Sequence, residues 1–140
     1  MSATAQPSVQ KAFGKLLSTP PLDDSYIQRF SEAAVEGDVI VQGDVYFTKL
    51  ADNHTFGKKL QNPVPKLVPG TSKGSQHCIA DMSCVTLYEG GGTVLDGPQM
   101  KVHKEVTVTH PEHRWVTLTP GCYRVNYQRK SAEELAAQQD

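Results

Sequence analysis

The apolar positions of this chain change period near residue 39. Before it they recur every three or four residues; after it they alternate. Val9, Ala12, Phe13, Leu16 and Leu17 fall at i, i+3, i+4, i+7 and i+8, one face of a short amphipathic helix that starts near Ser8. Thr19-Pro20-Pro21 ends it, because proline has no N–H and biases the preceding residue away from helix. Ile27, Phe30 and Ala34 give a second apolar face, which predicts a helix from Asp23 or Asp24 to Glu36 with Gly37 as its C′ residue. Residues 1–37 therefore read as an N-terminal helical arm.

Residues 38–130 read as a β domain. Val39-Ile40-Val41 and Val45-Tyr46-Phe47 flank Gly43-Asp44, the pattern of a strand pair or one bulged strand. Residues 51–75 are loop-rich, with Lys66-Leu67-Val68 the one candidate strand there. Strands are predicted over His77 to Ala80, Cys84 to Tyr88, Lys101 to Thr109, Trp115 to Thr119 and Tyr123 to Tyr127. Gly90-Gly91-Gly92, Asp96-Gly97-Pro98, His110-Pro111-Glu112 and Pro120-Gly121 punctuate them. Ser131-Ala132-Glu133-Glu134 is a capping box opening a short polar C-terminal helix over residues 131–140. The expected fold is mainly β: a small antiparallel β-sandwich or barrel with short helices at the N- and C-termini.

Composition narrows the function classes. With 140 residues there is room for one well-buried core, and a net charge of -1 argues against a basic nucleic-acid binder. No apolar run approaches the ~20 residues of a membrane helix, so no membrane association is expected. Met1 to Pro7 has neither the basic nor the apolar stretch of a secretory signal. Cys78, Cys84 and Cys122 form an odd set without CxxC spacing, which reads as reduced thiols in a cytoplasmic setting.

The chemistry concentrates in the histidines. In His110-Pro111-Glu112-His113, proline at the second position favours a type I turn, which brings the first and fourth Cα atoms within about 7 Å. Two imidazoles can then converge on one metal ion or one anionic ligand, with Glu112 adding a carboxylate. His77, placed at a strand start after a polar glycine-rich approach, is the third candidate. Three neutral imidazoles suit zinc or another transition metal and leave a position open for a ligand. Histidines in polar turns also cap strand ends and bond to the backbone. Gly90-Gly91-Gly92 lies between strands and is no phosphate-binding loop, and Cys122 has no base at fixed spacing.

Gly43-Asp44-Val45, Gly70 through His77, His110-Pro111-Glu112-His113, Leu118-Thr119-Pro120-Gly121-Cys122-Tyr123-Arg124-Val125 and Gln128-Arg129 stand in that order. This resembles a group of small, mostly uncharacterised bacterial and phage proteins with GDV, GxxH, HxEH, LxPGxYxV and QR segments. The resemblance covers residues 43 to 130. It implies site roles for His77, His110 and His113, with Gln128 and Arg129 beside them, and names no reaction. The chain departs from it at Ser75-Gln76, at Pro111 and at Lys130. The reading that follows is a non-catalytic binding or assembly module, plausibly phage-encoded and virion-associated. Its N-terminal arm would pack against another chain, a protein partner or a second copy in a homo-oligomer, or along its own sheet, through Phe13, Leu16, Leu17, Ile27 and Phe30. A cupin-like metal-binding protein or enzyme with a histidine cluster is the first alternative. A phage regulator acting on nucleic acid or a host protein is the second.

Overall fold

The computed structural model describes residues 27–68 and 76–128, and these form two β-sheets that share one core. The strands are β1 (Ile27–Arg29), β2 (Val39–Gln42), β3 (Val45–Lys49), β4 (Cys78–Ile79), β5 (Val85–Tyr88), β6 (Asp96–Val102), β7 (Val106–Thr109), β8 (Trp115–Leu118) and β9 (Gly121–Tyr127). One sheet has the order β2-β3-β9-β6-β5 and the other β1-β8-β7-β4. All pairings are antiparallel except β1 with β8. The two sheets do not close into a barrel; the arrangement is sandwich-like.

Alternation explains the core. Val45, Phe47, Tyr123, Val125, Met100 and Leu87 point inward from the five-stranded sheet, and their sequence neighbours Tyr46, Thr48, Arg124 and Lys101 point outward. Val106, Val108, Val116 and Leu118 meet them from the other sheet. Burying a side chain of this size stabilises the fold by roughly 1.5–3 kcal/mol each.

Three sequence expectations need correction. The first is the second helix, which is absent over residues 27–36. Ile27–Arg29 instead runs as a strand parallel to β8, with Gln28 opposite Val116, and the Phe30 N–H continues the pairing to the Thr117 carbonyl. Phe30 is buried in the chain's own core, its ring 5.0 Å from that of Tyr123. A short isolated helix is marginal in water, so pairing with a buried strand wins over a local helical period. Phe13, Leu16 and Leu17 lie outside the described residues, as do Arg129 and the short helix expected over 131–140.

The second correction concerns Lys101 to Thr109, expected as one strand. It is the end of β6 and the start of β7, which belong to different sheets. The exposed run His103-Lys104-Glu105 makes the crossing, and the His103 N–H donates to the Cys84 carbonyl. The third concerns Asp96-Gly97-Pro98, expected as a turn but found inside β6. The pairing with β9 shifts register between Asp96 and Gln99. Proline, which has no N–H for a ladder, is tolerated at such a bulge. Lys66-Leu67-Val68 forms only an isolated bridge, Lys66 to Cys78.

Candidate functional site

One end of the sandwich collects the histidines expected from the sequence. Gln42 pairs with Val45, so Gly43 and Asp44 form a two-residue hairpin loop between β2 and β3. Gly43 takes φ +57, which glycine adopts without the Cβ penalty. His77 precedes β4, and His110 and His113 bracket the loop between β7 and β8. The rings of His77 and His110 are 4.5 Å apart, those of His110 and His113 4.4 Å, and those of His77 and His113 6.4 Å, centre to centre.

Hydrogen bonds fix what each ring presents. The Gln42 amide donates from Nε2 to the carbonyls of Val108 and Arg114, both at 2.9 Å. Its oxygen must then accept, and it faces Nδ1 of His77 at 2.8 Å, so that nitrogen carries a proton. Nε2 of His77 meets the Asp44 carboxylate at 3.0 Å. A carboxylate is acceptor-only, so a proton lies on this edge too, shared between His77 and Asp44 in a part-buried contact. His77 is fully buried, whereas the Asp44 side chain is 23% exposed, so Asp44 forms the outer edge of the pair.

His110 is arranged in the opposite sense. Its Nδ1 accepts the backbone N–H groups of Glu112 at 3.0 Å and His113 at 3.2 Å, capping the turn that Pro111 begins. A ring whose Nδ1 accepts is neutral and carries its proton on Nε2. That Nε2 is buried and has no hydrogen-bond partner. Trp115 holds the same segment from behind, its indole N–H donating to the His110 carbonyl at 3.2 Å. Burial depresses the His110 pKa from 6.5 to about 4; the neighbouring His77 and His113 push it the same way, and the carboxylates of Glu112 and Asp44 oppose them.

These protonation states bear on the metal expectation. A metal ion needs a ring lone pair, and as hydrogen-bonded here His110 offers an N–H, while both nitrogens of His77 are engaged. Among the described residues, no group of three or more His, Cys, Asp and Glu is disposed to hold a metal ion. The residues singled out from the sequence come together only in part. His77, His110 and His113 converge. The Glu112 backbone serves the turn. Gln128 touches the site through its N–H, which donates to the Asp44 carbonyl at 3.0 Å. His54 and His103 lie elsewhere, bonded to Gln99 and Thr86. No disulfide joins Cys78, Cys84 or Cys122.

Sequence reasoning missed Gln42 and Asp44. The two-residue loop was the available signal, since it must present Asp44 at a hairpin tip. A cavity of about 600 Å³ lies elsewhere, lined by Leu60, Leu67, Leu87, Pro98 and Tyr127 among others. No histidine of the cluster lines it, so its size does not bear on this chemistry.

Residues 41–128 match a family model described as a domain of unknown function (DUF8820). The chain belongs to this family. The match begins one residue before Gln42 and ends at Gln128, so it spans every residue of the histidine site. No curated protein and no solved structure matches the chain. No helix among the described residues is long and apolar enough to cross a membrane.

Proposed function

We propose that this DUF8820 domain is a non-catalytic binding module whose ligand site is the histidine cluster at one end of the sandwich. The observation that carries this reading is the buried, unpartnered Nε2–H of His110. Leaving a buried donor unsatisfied costs about 1–3 kcal/mol, and a ligand oxygen accepting from it recovers that cost. Binding is favoured over catalysis because the groups described at the cluster are committed to hydrogen bonds or held neutral. His77 is held on both nitrogens, and His110 stays neutral at physiological pH. The Cys84 thiol is pushed up by burial, away from the reactive thiolate.

The test uses the ring ¹⁵N–¹H resonances of the full chain, titrated at pH 7.5 with zinc chloride, acetate, inorganic phosphate and D-glucose. The variant His110→Asn keeps an acceptor for the turn N–H groups but has no counterpart of Nε2–H. An oxygen-bearing probe should shift the His110 resonance in the parent and leave His110→Asn unmoved. If no probe shifts it, the histidine cluster is a structural feature and the binding reading falls. Stoichiometric zinc binding would instead revive the metal-binding alternative.

A further inference from the structure

We infer that β2 is a docking edge for a second copy of this chain: two molecules pair β2 against β2, antiparallel about a two-fold axis through Ile40, and join their five-stranded sheets into one. The inference goes beyond the histidine cluster and does not rest on what that cluster binds.

The four sheet edges, β1, β4, β2 and β5, are not protected alike. Residues 58–67 cover two of them. Along β5, the Leu60 N–H donates to the Leu87 carbonyl and the Glu89 N–H to the Lys58 carbonyl. Along β4, the Leu67 N–H donates to the His77 carbonyl and the Ile79 N–H to the Pro65 carbonyl. The β1 edge carries a charge, Arg29, paired with Glu105 at 2.8 Å. In contrast, β2 reads Val39-Ile40-Val41-Gln42, with no charge, no proline and no shift of register against β3. Natural edge strands usually carry a device of this kind, because a row of open N–H and C=O groups templates another strand.

Alternation sets which backbone groups of β2 face outward. Across the two-residue loop Gln42 and Val45 exchange both bonds, and Ile40 repeats this with Phe47. The Lys49 N–H, donating to the Asp38 carbonyl at 2.8 Å, continues the same alternation. The N–H and C=O groups of Val39 and Val41 therefore point away from β3. Gln28 marks that direction, its Nε2 donating to the Val41 carbonyl at 3.0 Å. A carbonyl has two lone pairs, so Val41 can accept from Gln28 and from a docked strand together.

Self-complementarity selects a second copy as the occupant. Antiparallel pairing centred on Ile40 sets Val39 opposite the partner's Val41, and Val41 opposite the partner's Val39. Each of these two pairs exchanges both backbone bonds, and the two-fold axis makes them equivalent. The run Val-Ile-Val reads the same in both directions, so the register matches apolar with apolar at every step. Val39 and Val41 are 50% and 44% exposed, and across the joined sheet the four valines form one apolar row. Asp38 falls opposite the partner's Gln42, so no like charges meet along the ladder. A ladder this short is a small interface, which makes the dimer weak and concentration-dependent.

The experiment is sedimentation velocity on the full chain from ~10 μM to ~1 mM, the range in which a weak dimer forms. A monomer–dimer equilibrium is expected. The double variant Val39→Lys with Val41→Lys sets like charges opposite each other and should weaken dimerisation roughly tenfold or more. The double variant Val39→Glu with Val41→Lys sets opposite charges there and should dimerise at least about threefold more tightly than the double lysine. Both remove the same two valines, so the antiparallel register is what separates them. Val94→Lys, which removes an exposed valine outside β2, should dimerise as the parent does. Urea unfolding of each variant shows that the fold is kept. A chain that stays monomeric throughout, its β2 edge open or covered by another segment of the same molecule, overturns the inference. A dimer that the double lysine leaves intact, or that both double variants weaken equally, overturns it as well.

Discussion

Gly43 lies directly against the ring of His113: a Cβ built on Gly43 would stand 2.5 Å from Cδ2 and 2.6 Å from Nε2. Two requirements meet at this residue. The hairpin loop needs φ +57, and the histidine ring needs the space a side chain would take. Gly43→Ala should therefore destabilise the fold by roughly 1–3 kcal/mol, through backbone strain and a displaced His113. Chemical denaturation gives the loss, and the His113 ring resonances should shift with it. An unchanged midpoint with an unmoved His113 would contradict this close approach.

Gln42 is a heavily committed polar side chain of the site. Its amide holds two carbonyls and the His77 Nδ1–H, all within 2.9 Å. Gln42→Leu keeps the approximate volume but strands two buried groups, the Val108 carbonyl and the His77 Nδ1–H, at about 1–3 kcal/mol each, and the part-buried Arg114 carbonyl. A loss of roughly 3–5 kcal/mol is expected, with relaxation absorbing part of the total. Gln42→Glu should also destabilise, since a carboxylate cannot donate to Val108 and Arg114. Urea unfolding of both variants checks the pair; a neutral Gln42→Leu would show that His77 finds another acceptor.

The parts legible in the sequence are those set by local chemistry. The β2–β3 hairpin follows from apolar runs flanking Gly43-Asp44, and the His110–His113 convergence follows from a four-residue turn with proline second. The site's interior was hidden because it depends on strand order. Gln42 and His77 are 35 positions apart and meet only when β2 and β4 are brought to one end of the sandwich. The helix expected to end at Glu36 failed for a related reason. Phe30 and Ala34 do reach the core, as a helical face would, but Ile27–Arg29 is held by pairing with Trp115–Thr117, a partner no local period reveals.

That pairing makes Phe30 part of the core. The residue is 2% exposed and packs on Tyr123. Phe30→Ala should cost about 3–5 kcal/mol, the range for emptying a buried aromatic site. The measurement is a denaturation midpoint on the full chain. A loss below about 1 kcal/mol would mean that Phe30 contributes little to this core, and would return it to the role of a docking residue.

Stability should depend on pH through His110. In the unfolded chain the ring takes a proton near pH 6.5, and in the folded protein near pH 4, because burial disfavours the imidazolium. Between those values the unfolded state binds more protons, so stability rises with pH across this window. The contribution is complete above about pH 6.5 and is lost progressively as pH falls toward 4. The full effect is of order 3 kcal/mol. Acidification also breaks the two turn bonds at Nδ1, which cannot accept once protonated. His110→Asn keeps an acceptor there without a titrating group. Urea midpoints at pH 7.5, 6, 5 and 4.5 should fall more steeply in the parent than in His110→Asn. Parallel loss in the two proteins would mean that His110 is not held neutral by the fold.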